Sequence, residues 1–334
     1  MVHLARVAEW RLLELWKPSA DEWTDGVFVS EVISVVAPVL NEVDVLPEFY
    51  RRVTAALAGE EFELIFVNDG SGDGTGPCIE SLSDADPRVR CVHLSRNFGH
   101  QAALTAGLDR ARGSAVVSID GDLQDPPEVI PDFLREWRNG ADVVHGVRHV
   151  RPGEARWRML AIRAFYATFN RISGLNEFPG NAGDFRLLSR RALDALSQLP
   201  ERNRFVRGLV AWVGFTQSSV TYEREARFAG HSSYGFVQLL QLALNGIVSF
   251  SLTPLRVASG LGVIFSLVAF LSIPIVVSLR LTGLYEVPGI ASVHILILFV
   301  GGVQLVFLGV LGEYLARDYD EAKRRPLYIV ERES

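Results

Sequence analysis

The sequence predicts an α/β domain of Rossmann-like build followed by membrane-crossing helices. Three observations predict it. Short continuous apolar runs alternate with helical segments from Val32 to about Arg148. Acidic loops follow two of those runs, "NDGSGDGT" (68–75) and "DGDLQDPP" (120–127). Near the C-terminus, two stretches of 23 and 26 residues carry no charge.

The elements follow in order. "VISVVAP" (32–38), "FELIFV" (62–67), "VRCVHL" (89–94), "AVVSI" (115–119) and "ADVVHGVR" (141–148) read as strands. "VDVLPEFYRRVTAAL" (43–57) reads as a helix with an early proline. Further helices are expected from the 68–75 loop to about Leu82, over "GHQAALTAGLDRAR" (99–112), and over "EVIPDFLREWRNG" (128–140). Continuous apolar strands between helices imply a parallel sheet covered on both faces. Ligands of such sheets bind beyond the carboxyl ends of the strands, so both acidic loops should face one crevice.

The charge-free stretches are 257–279 and 287–312. Each is long enough for a hydrocarbon core, which takes roughly 20 residues. The link between them is short, so they form a hairpin. Arg256 precedes the first, and Arg317, Lys323, Arg324 and Arg325 follow the second, which places both ends and the large domain in the cytoplasm. Before the hairpin, Gln238, Gln241 and Asn245 form one polar stripe on an otherwise apolar segment, as an interfacial helix would; packing against the soluble domain fits the same pattern. Residues 1–30 lack a continuous apolar core, so no signal peptide is expected.

At 334 residues the chain has room for one large or two modest domains. The formal charge of −6 argues against a nucleic-acid binder. Lys17 and Lys323 are the only lysines; the other cations are arginines, which suit phosphate recognition and also fit a compositional bias. Two cysteines, Cys78 and Cys91, suggest neither a disulfide framework nor a metal site.

Asp120 and Asp122 are spaced D-x-D, so on an extended strand end both carboxylates point the same way. Such a pair repels unless a cation lies between, and Mg²⁺ or Mn²⁺ commonly takes one or two carboxylates plus substrate phosphate oxygens. Gln124 offers a neutral oxygen on the same side. In 68–75, three glycines let backbone approach a ligand, and Asp69 could accept hydrogen bonds from a base or ribose. A plain Gly/Asp turn with Asp73 or Thr75 as helix cap accounts for the same residues. Arg96 and Asn97 could reach the same crevice.

"APVLNE", "VNDGSGDGT", "LSRNFGHQAAL", "SIDGDLQDPPE" and "NAGDFRLLSRRAL" occur in this order. With them the chain resembles the inverting family 2 glycosyltransferases of GT-A fold. More narrowly it resembles the polyprenyl-phosphate glycosyltransferases: the undecaprenyl-phosphate glucosyltransferases of the GtrB type and their dolichyl-phosphate mannose synthase relatives. The likeness runs from about Val32 to Val330, with "RRPLYIV" (324–330) favouring the GtrB type.

The resemblance implies a division of the chain. Residues 1–30 are an N-terminal extension, 31–234 a cytoplasmic GT-A nucleotide-sugar-binding domain, and 235–254 an interfacial helix. Residues 255–313 are a hairpin of two transmembrane helices, and 314–334 a cytoplasmic tail. It implies that Pro38, Glu42, Asp69 and Arg96 bind the donor, with Asp120 on its ribose or sugar side. Asp122 and Gln124 would bind Mg²⁺ or Mn²⁺, Asp184 matches the residue proposed as catalytic base with Arg186 beside it, and Arg148 and Arg151 would lie near the acceptor phosphate. A phosphate monoester is already largely ionised near neutral pH, so Asp184 is expected mainly to orient Arg186 or the acceptor. The implied reaction moves a sugar, glucose being the best guess, from a UDP-sugar to undecaprenyl phosphate at the inner membrane. A homo-oligomer such as a tetramer is implied as well.

One departure stands out. The family commonly has lysine before the tyrosine of "RFAGHSSY" (227–234), where this chain has Ser233; Arg227 or His231 could compensate. A different lipid acceptor is one competing reading, and a nucleotide-binding partner of a glycan export complex is another. A Rossmann dehydrogenase lacks its G-x-G-x-x-G after the first strand, and a processive synthase lacks its Q-x-x-R-W.

Overall fold

The first strand, β1 (Ile33–Val39), is buried at all seven residues because it lies inside the sheet. A computed structural model describes residues 31–149, 182–202, 204–224, 253–282 and 290–334. The N-terminal extension, Arg151, the 227–234 segment with Ser233 and the expected interfacial helix up to residue 252 lie outside the described residues.

After β1 come α1 (Leu46–Ala56), β2 (Phe62–Asn68), α2 (Thr75–Ala85), β3 (Val89–Leu94), α3 (His100–Leu108) and β4 (Ala115–Ser118). A 3₁₀ turn at Pro127–Val129 leads into α4 (Ile130–Arg138), then β5 (Val143–Arg148). The next elements are β6 (Ala182–Ser189), α5 (Arg190–Ser197), α6 (Val206–Val213) and β7 (Gln217–Tyr222). Two long helices, α7 (Thr253–Leu281) and α8 (Ile290–Lys323), precede a last strand, β8 (Val330–Glu333).

The eight strands form one sheet in the order β7-β5-β6-β4-β1-β2-β3-β8. β1 pairs in parallel with β2 and β4, and β2 with β3. The sheet is mixed, which corrects the wholly parallel sheet expected from the sequence. β6 runs antiparallel to both β4 and β5, and β8 runs antiparallel to β3. A strand buried on both faces carries the same apolar run in either direction, so burial could not reveal its sense.

Strand residues alternate between two apolar layers. Val35, Ala37, Leu64, Phe66, Phe185 and Leu187 pack with α1 and α4 through Phe49, Val53 and Phe133. Val36, Ile65, Val67 and Leu188 pack with α3, α5 and α6 through Leu104, Leu193 and Leu209. α3 is shorter than expected, ending at Leu108 and not at Arg112.

Within α7 and α8, Leu255–Leu279 and Phe299–Lys323 are each 25 residues, with mean hydropathies of 2.5 and 1.6, long and apolar enough to cross a membrane. Val263, Phe270, Leu305 and Leu308 point outward, uncovered by the chain. α8 continues well past Gly312, the last residue of the charge-free stretch, to Lys323. The segment expected as a tail then returns to the sheet as β8. There Arg90 and Arg110 both reach Glu333, each at 2.9 Å, and Ser334 N donates to Cys91 O at 3.0 Å.

Candidate active site

Two loops at the carboxyl ends of β1 and β2 brace each other. Asn41, held in the left-handed region at φ 56°, accepts from Gly72 N at 2.9 Å and donates its own N–H to Ser71 Oγ at 3.0 Å. Glu42 N donates to Thr75 Oγ1 at 2.9 Å, and Asp73 Oδ1 accepts from Thr75 N at 2.9 Å, so Asp73 secures the first turn of α2. Gly70 has φ 70°, and a Cβ there would lie 2.5 Å from the Arg96 carbonyl carbon. The glycine is therefore needed for contact between two loops of the protein itself.

The end of β1 and the loop after it border a cavity of about 1140 Å³ at the carboxyl end of the sheet, and the β2 loop braces them from behind. Pro38, Leu40 and Glu42 line it on the β1 side, and Asp120, Asp122 and Gln124 beyond β4. His100 and Gln101 enter from the first turn of α3, and Asp184 from β6. Arg202, Arg204, Arg207 and Arg224 line the facing wall, and the last part of α8 closes it with Glu313, Ala316, Arg317 and Asp320.

The cavity gathers seven of the residues singled out in the sequence: Pro38, Glu42, Asp120, Asp122, Gln124, Arg148 and Asp184. Asp69, Arg96 and Arg186 do not line it. Asp69 is buried and receives Phe98 N at 2.7 Å on Oδ1 and Gly99 N at 2.9 Å on Oδ2, which sets the entry into α3. Arg96 stacks on Phe98, 4.0 Å from the ring centroid. Arg186, 1% exposed, lies behind Asp184 and donates to Gly183 O at 2.8 Å and Asp184 Oδ1 at 3.0 Å.

Asp184 is the centre of the charge arrangement. Arg207 Nε and Nη2 each donate at 2.9 Å, one to each carboxylate oxygen. His100 Nε2 lies 3.2 Å from Oδ2. Burial works to raise this carboxyl, yet His100, Arg207 and Arg186 together hold it well below the usual carboxylate range. Ser118 Oγ donates to the Asp184 carbonyl at 2.5 Å, fixing β6 against β4 at this point. Gln101 accepts from Val206 N at 3.1 Å and so ties α3 to α6, which carries Arg207.

Asp120 has the opposite environment. Burial, with Asp184, Asp125 and Asp122 nearby, pushes it up to about 6 against the pull of His100. Its Oδ1 is buried and accepts no hydrogen bond among the described residues, with His100 Nε2 standing 3.5 Å away. Burial works against the charged form of the His100 ring, but Asp184 and Asp120 outweigh it and raise the imidazole above its ordinary value.

The third carboxylate of the loop, Asp125, is fully buried and structural. It accepts from Tyr222 OH at 2.6 Å and from Arg148 Nη2 at 3.1 Å, and Arg224 Nε lies 3.8 Å away. Arg148 thus borders the cavity while anchored to an internal anion.

A divalent cation fits this site only when shared with a substrate. Among the described residues no group of three or more His, Cys, Asp or Glu gathers around one point. Asp122 and Gln124 are joined by Gln124 N on Oδ1 at 3.1 Å and Gln124 Nε2 on Oδ2 at 2.8 Å, which leaves the amide oxygen as an acceptor. With the orphaned Asp120 Oδ1 close by in sequence, this oxygen-only set suits Mg²⁺ or Mn²⁺ whose remaining ligands come from phosphate.

In the sequence His100, Gln101 and Arg207 carry no site role, and Arg317 is marked only as a cation flanking the second apolar stretch. His100 and Gln101 stand within the quoted "FGHQAAL", a signal that was available. Arg207 and Arg317 reach the cavity only through the packing of α6 and α8.

This strand-end cavity, with its acidic loop and arginine wall, is the candidate active site, and comparison with known proteins gives the family. The model of Glycosyl transferase family 2 matches residues 34–197. A glycosyltransferase of Synechocystis sp. is 44% identical over 300 residues, covering 89% of this chain and 94% of that protein. The bactoprenol glucosyl transferase of Shigella phage SfV is 44% identical over 303 residues, covering 90% and 98%. A prophage bactoprenol glucosyl transferase homolog of Escherichia coli is 42% identical over 302 residues, covering 90% and 98%. Among solved structures, glucosyl-3-phosphoglycerate synthase from Mycobacterium tuberculosis has a TM-score of 0.47 at 22% identity, covering 65% of this chain and 76% of that one. The chain belongs to glycosyl transferase family 2. It is a glycosyltransferase.

Proposed function

We propose that this enzyme transfers a hexosyl group, glucose being the best candidate, from a UDP-sugar to a polyprenyl phosphate at the cytoplasmic face of a membrane. The observation that carries the reading is the composition of the cavity wall: strand ends with Asp120 and Asp122 on one side, the end of a membrane-length apolar helix on the other. A water-soluble acceptor would need no such wall. Relatives at 42–44% identity that are named bactoprenol glucosyl transferase support the same acceptor class.

On this reading a phosphate oxygen of the acceptor attacks the anomeric carbon. The bond from that carbon to the donor diphosphate breaks, and UDP leaves with the electron pair. Held by Asp122 and Gln124, a divalent ion would neutralise charge on the leaving diphosphate. The acceptor, a phosphate monoester with a second pKa of about 6, is already largely dianionic near neutral pH. It needs no strong base, and Asp184, bound by two guanidiniums and held low, is a poor one. Asp184 therefore aims Arg207 and His100 at the meeting point of the two substrates. The arginine wall lets two anions approach each other.

The test uses membranes carrying the full chain, Mg²⁺ or Mn²⁺, and undecaprenyl phosphate, with labelled UDP-glucose, UDP-N-acetylglucosamine, UDP-galactose and GDP-mannose offered separately. Organic-phase label from one donor, lost in Asp122→Ala, supports the reading. Nucleotide binding without any transfer would move the assignment to an export partner.

A further inference from the structure

We infer that α8 is part of the acceptor site as well as an anchor, and that Arg317 on it binds the acceptor phosphate. This rests on the proposed lipid-phosphate acceptor and adds a ligand from the membrane helix itself.

The depth of the residue is the first argument. Leu305, Leu308 and Leu311 of α8 face outward, residues 290–312 carry no charge, and Glu313 is the first charge, so the charged last part of the Phe299–Lys323 span lies at the edge of the apolar stretch. Arg317 follows four residues later, one helical turn or about 6 Å further along the axis. A lipid whose chain lies in the hydrocarbon region presents its phosphate at this boundary.

Direction is the second. Leu315 and Tyr319 are 58% and 64% exposed, whereas the Arg317 side chain is only 17% exposed. It turns toward the catalytic domain and lines the cavity that also holds Asp120 and Asp122. Its Nη2 reaches Glu313 Oε1 at 3.3 Å, a contact that orients the guanidinium along the helix.

Charge matching is the third. Arg148 and Arg224 are drawn to buried Asp125, and Arg207 to buried Asp184. These contacts fix their guanidiniums against internal carboxylates, whereas Arg317 is paired with Glu313 on its own helix. On the α8 side, Arg317 faces the segment with Arg202 and Arg204, fixed to the helix by Arg202 N on Glu321 Oε1 at 2.7 Å. Arg204 donates through Nη2 to Leu199 O at 2.7 Å, while its buried Nε has no hydrogen-bond partner among the described residues. A phosphate entering from the bilayer would meet guanidinium donors here, in the forked geometry that arginine offers to oxyanions.

The experiment measures binding of polyprenyl phosphate and of the matching polyprenol to the purified full chain in phosphatidylcholine bilayers, for wild type, Arg317→Ala and Arg317→Lys. Wild type is expected to favour the phosphate by about tenfold or more, equivalent to 1.4 kcal/mol. Arg317→Ala should lose most of that preference, with UDP binding unchanged as proof of folding, and Arg317→Lys should keep part of it. An Arg317→Ala variant with undiminished preference overturns the inference, as does a wild type without preference. Repeating the assay in anionic vesicles separates the sources of phosphate. A loss seen only there, parallel for phosphate and alcohol, would assign Arg317 to bulk headgroups and also overturn it. Because the assay needs no turnover, a chain that binds the phosphate lipid yet transfers no sugar would sink the proposed reaction and spare this site.

Discussion

Arg207 grips Asp184 with two parallel hydrogen bonds, Nε to Oδ1 and Nη2 to Oδ2, each at 2.9 Å. The pair joins α6 to β6 at the cavity, and on the proposed reading it makes Asp184 a mount for cations, in line with the orienting role expected for it.

Arg207→Gln should therefore lower both activity and stability. Removing one partner leaves Asp184 buried, with Arg186 behind it, and breaking such a pair costs about 3 kcal/mol. Thermal unfolding of the variant would show the loss. Arg207→Lys restores the charge without the fork and should recover stability better than kcat.

Asp184→Asn should reduce kcat by about 100-fold through misplacement of Arg207 and His100. The shape of the pH–rate profile should not change, because the acceptor phosphate sets the acidic limb. Loss of a titrating limb in the variant would return Asp184 to the role of base.

Phe185, between Asp184 and Arg186, packs its ring 4.6 Å from that of Phe133 and 5.5 Å from that of Tyr222 on the opposite sheet face. Phe185→Ala should cost about 3–5 kcal/mol, read from denaturant unfolding. Phe185→Leu should cost less, since it leaves a smaller void.

Asp86 gives a pH-dependent test of stability. Arg88 holds it low, against the opposing effect of burial, with help from its backbone N–H and from Tyr50 OH at 2.8 Å. A carboxyl depressed in the folded state stabilises fully above its unfolded pKa of about 3.9 and loses that contribution as pH falls toward the folded value. Asp86→Asn should thus be less stable than wild type at pH 7 by about 1 kcal/mol, a modest figure because Arg88 is half exposed. The gap should narrow below pH 4.

Much of the fold was legible because strands such as Phe62–Asn68 are short, largely apolar runs between helices. β6 and β7 were not read as strands, and the antiparallel sense of β6 could not be read either, since Phe185 and Leu187 would be buried in either direction. β8 was missed because "VERE" reads as a polar tail and becomes a strand only through Glu333, Arg90 and Arg110. In the site, Asp120, Asp122 and Gln124 were legible from local spacing. Arg207 and Arg317 were not, because no local pattern marks an arginine that packing alone carries to a cavity. Asp69 was marked by its motif, but the motif did not show that its oxygens accept the Phe98 and Gly99 amides.

The central claim is that the acceptor is a lipid phosphate. The most direct measurement gives the full chain, in bilayers, its preferred labelled donor together with polyprenyl phosphate, polyprenol or diacylglycerol in separate vesicles. Labelled lipid should form with polyprenyl phosphate alone. Labelled polyprenol or diacylglycerol, with polyprenyl phosphate left unlabelled, would contradict the account.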